Sequence, residues 1–137
     1  MESAEVTTFL LDTHSWVWAI SQPGRLNAAT RRQLENTANE LYLSPVSIWE
    51  ASHLSRRRRI RHKGTFQQWL DSAFASLPVR EASFNFEIAV EATKLNLEQA
   101  DFGDLFLAAT AIAFDLTLVT ADGQLLNHPA VKTLRAD

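Results

Sequence analysis

Two kinds of apolar patterning follow one another along this chain: short unbroken runs, and longer stretches with apolar positions three or four apart. The first reads as buried strands and the second as helices packed by one face. TTFLLD at 7–12 is the first strand. Trp16, Val17 and Ile20 then mark one face of a short helix, broken at Gln22-Pro23-Gly24. An amphipathic helix follows over 28–36, with Leu34 inward and Arg31, Arg32 and Glu35 in water. ELYL at 40–43 is a second strand. Ser44-Pro45 supplies the N-cap and first-position proline of a helix carrying Val46, Ile48, Trp49, Glu50 and Leu54, which the arginine run ends and Gly64 closes.

A further amphipathic helix spans 65–77, with Phe66, Trp69, Leu70 and Phe74 inward, and 78–81 forms a third short strand. Ser83 caps a helix running to Leu95, whose buried face carries Phe84, Ile88 and Leu95. After a loop over 96–100 comes the most apolar unit of the chain, DFGDLFLAATAIAFDLTLVTAD at 101–122. From Leu105 to Phe114 only Thr110 is polar, the mark of a helix buried on nearly every side. LTLVT at 116–120 is a central strand, and a last edge strand lies over 131–134. Strands alternating with helices predict an α/β fold, a mostly parallel sheet of about five short strands sandwiched between helices.

At 137 residues, with neither repeat nor linker, the chain reads as a single domain over 1–137. No apolar run approaches the roughly 18 residues of a membrane span. The start, Met1-Glu2-Ser3-Ala4-Glu5, is acidic where a signal peptide is basic, so the expected location is the cytoplasm. Without cysteine there are no disulfides or thiolate metal sites, and the four histidines lack zinc-ligand spacing.

The net charge of −3 is unevenly spread. RRRRIRHK at 56–63 holds six of the 13 basic residues, and without those six the remainder stands at −9. An acidic body with one basic stripe, Arg56, Arg57, Arg58 and Arg59 above all, is suited to nucleic acid. Cations that merely compensate a helix C-terminus are the plainer reading.

Four carboxylates give the pattern its chemistry. Asp12 ends the first strand, Asp122 follows the fourth, Asp104 begins the helix feeding that strand, and Glu50 lies in the helix leaving the second strand. A helix joined by a tight turn to a strand runs antiparallel to it, which brings Asp104 and Asp122 to one edge of the sheet. Open α/β sheets build their sites at that edge. Each acid alone has a structural reading: Asp101 as N-cap, Asp104 as a first-turn acid, Asp122 as a turn residue, Glu50 as an exposed helix side chain. Together they repel one another unless a cation neutralises them, and oxygen-only ligands suit Mg2+ or Mn2+. The reaction such a site favours is metal-assisted phosphodiester hydrolysis.

LLDTH at 10–14, SIWEAS at 47–52, DFGDLFLAATA at 101–111 and TLVTAD at 117–122 resemble the PIN-domain family, nearest to the VapC-type ribonuclease toxins of bacterial toxin–antitoxin pairs. The likeness runs from about Thr8 to Leu134 in the right order. It implies a PIN-like three-layer fold and a metal-dependent endoribonuclease with Asp12, Glu50, Asp104 and Asp122 as catalytic metal ligands. Thr120 matches a supporting hydroxyl residue, and Asp101 an additional acid. The resemblance also implies an RNA substrate such as transfer RNA, an inhibitory antitoxin and a homodimer, with the surface of Trp16, Trp18, Trp49 and Trp69 as a candidate partner groove. Many relatives carry His-x-Asp-Pro-x-Asp-Arg in the third motif. Here it reads Gln99-Ala100-Asp101-Phe102-Gly103-Asp104-Leu105, without the histidine, proline or arginine. Two other readings remain: a PIN-fold interaction module that has lost catalysis, and a signalling receiver domain, which wants paired acids early and a lysine after the last strand.

Overall fold

Burial on both faces explains why the strands read as continuous apolar runs. The computed structural model describes residues 6–97 and 100–137. In strand β1 (Thr8–Leu11), Phe9 and Leu11 enter the core on one face and Leu10 enters it on the other. Strand β4 (Thr117–Thr120) does the same with Val119 and Leu118. Strands covered on both sides belong in a parallel sheet under two layers of helix. With β2 (Glu40–Leu43), β3 (Arg80–Glu81) and β5 (Thr133–Arg135) they form a five-stranded sheet of order β3-β2-β1-β4-β5, in which every pair is parallel. In register, Leu10 stands between Tyr42 and Leu118.

Helices α1 (Thr13–Ser21), α2 (Ala28–Glu35), α3 (Pro45–Arg56) and α4 (Phe66–Ser76) cover the face of Phe9 and Leu11. A 3-10 turn, Pro23–Arg25, joins α1 to α2. Helices α6 (Phe102–Ala113) and α7 (Gly123–Leu126) cover the opposite face, and α5 (Phe86–Thr93) packs on α6. The result is the three-layer α/β/α sandwich that the patterning predicts. The chain leaves β1 toward β2 and β3 on one side and returns to β4 and β5 on the other. The direction of winding therefore reverses between β1 and β4, and a crevice opens at their C-terminal ends.

Several boundaries differ from the sequence reading. Asn85, rather than Ser83, caps α5, its Oδ1 accepting from the Ile88 amide at 3.1 Å; asparagine and serine are equally good caps, so hydrogen bonding decides. Phe84 lies outside that helix, 42% exposed and edge-on to Phe106. The last strand begins two residues late, because Val131 still closes a turn onto the His128 carbonyl. Helix α3 stops at Arg56, and Arg58 adopts φ 57°, which turns the arginine run away from the helix axis. Gly64, at φ 79°, therefore precedes the capping box of α4 rather than closing α3. The loop expected over 96–100 includes residues 98 and 99, which lie outside the described residues. Of the tryptophans, Trp16 and Trp69 are core, Trp18 is half-buried and Trp49 is 66% exposed.

Candidate active site

Three helices begin at the crevice between β1 and β4, and an aspartate caps each. Asp12, directly after β1, accepts from the Ser15 amide at 2.8 Å and starts α1. Asp101 accepts from the Asp104 amide at 2.9 Å and starts α6. Asp122, directly after β4, accepts from the amides of Gln124 and Leu125 at 2.8 and 3.1 Å and starts α7. The capping roles are therefore real, and they do not compete with a functional one: a parallel sheet delivers its helix N-termini to this edge, so the caps arrive with them. Backbone ties fix the positions. The Asp12 amide donates to the Val119 carbonyl at 3.1 Å, and buried Thr120 accepts the Asp122 amide on its Oγ1 at 3.0 Å.

Two more carboxylates complete the group. Asp104 projects from the first turn of α6, and Glu50 comes from the middle of α3. Asp12, Glu50, Asp101, Asp104 and Asp122 line one cleft of about 290 Å³, with Thr13, His14, Trp18, Leu107 and Ala121 completing its wall. The structure thus brings together all four acids singled out in the sequence, and Asp101 with them.

Glu50 is held by residues that the sequence reading passed over. Thr13 Oγ1 lies 2.6 Å from Glu50 Oε1 and 3.0 Å from Ser47 Oγ, both Thr13 and Ser47 being buried. Thr13 has one hydroxyl hydrogen, and the charged acceptor takes it, leaving the Ser47 hydroxyl to donate to Thr13. On its other side the Glu50 carboxylate abuts Gly103, where a Cβ would stand 2.5 Å from Oε2 and 2.9 Å from Cδ. A glycine in an otherwise apolar helix was the available signal.

The electrostatics show how tightly the acids are crowded. Burial pushes the Asp104 carboxyl up to about 7 from its usual 3.8, with Asp101, Asp122, Glu50 and Asp12 adding to the rise. Burial also raises Glu50; the Thr13 hydrogen bond opposes this, Asp101 and Asp12 add to it, and His14 relieves it. A cation among these carboxylates would relieve the crowding at Asp104 and Glu50. Their all-oxygen donors suit a hard divalent ion. Among the described residues no three of these side chains close on a point as a finished ligand cage. An ion here would therefore be held in part through water, as magnesium is when it uses one or two carboxylates and keeps several waters.

The basic stripe divides. Arg59 and Arg61 line a second cleft of about 300 Å³ beside the first, Arg58 faces an adjoining hollow with His62 that shares Ile60 and Arg61 with that cleft, and Arg56 and Arg57 line neither. Arg25, which the sequence reading did not single out, joins Arg59 and Arg61 from the 3-10 turn. Lys132 bonds Asp115 at 2.6 Å, and Asp115 precedes β4 whereas Asp122 follows it. That lysine is at the wrong end of the strand for a receiver pocket.

Comparison with known proteins agrees with this architecture. The sequence profile of the PIN domain matches residues 9–131. The chain is 32% identical over 124 residues to Ribonuclease VapC22 of Mycobacterium tuberculosis, covering 90% of this chain and 93% of that one. Among solved structures it resembles VapBC2 from Rickettsia felis bound to a DNA fragment from its promoter, with TM-score 0.72 and 22% identity over 96% of this chain and 100% of that one. It also resembles DNA-bound VapBC from Salmonella typhimurium, with TM-score 0.68 and 16% identity over 95% and 98% of the two chains. With its profile match spanning nearly the whole sandwich, this chain belongs to the PIN-domain family.

Proposed function

We propose that this protein is a metal-dependent endoribonuclease, acting as the toxin of a toxin–antitoxin pair. The observation that carries the reading is the convergence of five carboxylates on one cleft at the sheet's switch point, with Asp104 protonated to an unusually high pH by burial and by the others. The likeness to Ribonuclease VapC22 over nine-tenths of the chain supports the same assignment and points to RNA as the polymer cut.

Asp12, Glu50, Asp104 and Asp122 would hold Mg2+ or Mn2+, directly or through water. A divalent ion there supplies the charge that polarises a phosphoryl oxygen and makes water nucleophilic near neutral pH. The chain's own residues do the rest. Asp101 and the helix N-termini set the carboxylates in place, Thr13 and Gly103 fix the direction of Glu50, and Thr120 fixes Asp122 through its backbone. Protons compete with the cation for Asp104, so occupancy of the site rises with pH through the neutral range. Leu105, where many relatives carry arginine, adds no charge to the site, so binding of the substrate's phosphates falls to groups elsewhere on the surface.

An antitoxin partner follows from the toxin assignment, and a further structure of this fold, VapBC-5 from Mycobacterium tuberculosis, is described as a member of the VapBC family of toxin-antitoxin systems. A homodimer is what the resemblance to VapC-type toxins implies. The test is induced expression in a bacterial host with RNA integrity as the readout. Growth arrest with accumulating RNA fragments, both absent for Asp12→Asn, is the expected result. Intact RNA and unimpaired growth at high expression would favour an interaction module that has lost catalysis.

A further inference from the structure

The acidic cleft poses a problem for its own substrate. Five carboxylates repel a polyanion, and a single divalent ion offsets only part of that charge. The neighbouring cleft is its electrostatic opposite. Arg25, Arg59 and Arg61 line it, and no carboxylate does. Among the described residues none of the three arginines forms an ion pair. The two clefts share a wall, since His14 and Trp18 line both.

Arg25 is also held ready. Its guanidinium lies 4.6 Å from the centroid of the Trp18 ring, and Nη1 reaches Gln22 Oε1 at 3.4 Å. A guanidinium stacked on an aromatic face keeps its in-plane N–H groups free to fork onto a phosphate, with less side-chain entropy left to lose. Arg59 and Arg61 come from a different segment, two residues apart about buried Ile60, so both side chains reach the same cleft. Arginines from two segments, unpaired and converging, are a phosphate-binding arrangement.

We propose that the cleft of Arg25, Arg59 and Arg61 beside Trp18 binds a backbone phosphate of the RNA next to the one cleaved. This rests on the ribonuclease reading. In a nucleic acid every phosphate has a neighbour one nucleotide away, so a strand with one phosphate over the carboxylates presents the next to an adjoining surface. RNA is favoured over an acidic protein segment because the basic cleft shares a wall with the acidic one.

The test is the salt dependence of binding of a fluorescein-labelled, mixed-sequence 12-nucleotide single-stranded RNA, followed by anisotropy in the Asp12→Asn background with Mg2+ present. Removing one cation that neutralises a phosphate flattens the slope of log K against log salt by about 0.7. Arg25→Gln and Arg61→Gln are expected to flatten it by that amount each and to weaken binding about fivefold. Arg25→Lys, which keeps the charge, retains the slope, and Arg32→Gln on α2 changes neither quantity. Unchanged slopes for both glutamine variants, or no measurable binding of the RNA, overturn the proposal, and unchanged slopes would leave the cleft to a carboxylate-bearing protein partner. Metal-dependent cleavage by the unmutated protein is scored separately. Cleavage with unchanged slopes removes this cleft alone, whereas flattened slopes without cleavage leave a phosphate-binding cleft but remove the nuclease and, with it, the placement beside a cleaved phosphate.

Discussion

Glu50 Oε2 occupies the space that a Cβ on Gly103 would need, with only 2.5 Å between them. Helices α3 and α6 cross there, from opposite layers of the sandwich, and the absence of one methyl group lets a carboxylate from one lie on the first turn of the other. Gly103→Ala is therefore expected to fold normally, since alanine favours a helix over glycine by about 1 kcal/mol. It is expected to displace the Glu50 carboxylate and weaken Mn2+ binding roughly tenfold, as changes to groups supporting metal ligands do. In a Glu50→Ala background the same substitution should have no further effect on Mn2+ binding. Calorimetric titration of the four proteins checks this, and an additive loss would contradict it.

Thr13 acts on the same carboxylate from its other side. Its hydrogen bond to Glu50 holds that pKa down against burial. Thr13→Val removes the donor while keeping the shape, so Glu50 retains its proton to higher pH. The expected outcome is a pH profile of Mn2+ affinity displaced upward, with the loss greatest in mildly acidic solution and shrinking as pH rises. A profile of unchanged midpoint would show that this bond does not govern Glu50.

Asp104 makes the metal-free protein pH-sensitive in an uncommon direction. Its folded pKa of about 7 lies above the 3.8 of the free group. Between those values the folded chain binds more protons than the unfolded one, so stability falls as pH rises. Because the group is partly open to water, the effect after screening is on the order of 1 kcal/mol. Asp104→Asn is expected to raise Tm in chelator at pH 8, with the gain vanishing near pH 4. Added Mn2+ should reverse the order at pH 8 by stabilising the unmutated protein alone. Thermal melts at the two pH values decide it.

The strands and the four acids were legible because each follows from local pattern. TTFLLD and LTLVT are apolar on both sheet faces, and a carboxylate after a strand or opening a helix is visible in one dimension. Thr13, Ser47 and Gly103 were not, because their roles exist only where α1, α3 and α6 meet. The arginine run shows a second limit. Read as a stripe, it gave Arg56 to Arg59 equal standing, but past the left-handed turn at Arg58 it is Arg59 and Arg61 that line the cleft with Arg25, while Arg56, Arg57 and Arg58 do not. The exchange of Ser83 for Asn85 as a cap is a choice between near-equal residues that only the hydrogen bond of Ile88 settles.

The most direct test of the account is cleavage of total cellular RNA by the purified protein with Mg2+, with Mn2+ or with chelator, beside Asp12→Asn and Asp122→Asn. The account predicts discrete cuts that require the metal and are reduced at least a hundredfold in both variants. Cuts that persist in chelator, or that survive both substitutions, would place the chemistry outside the carboxylate cleft and contradict it.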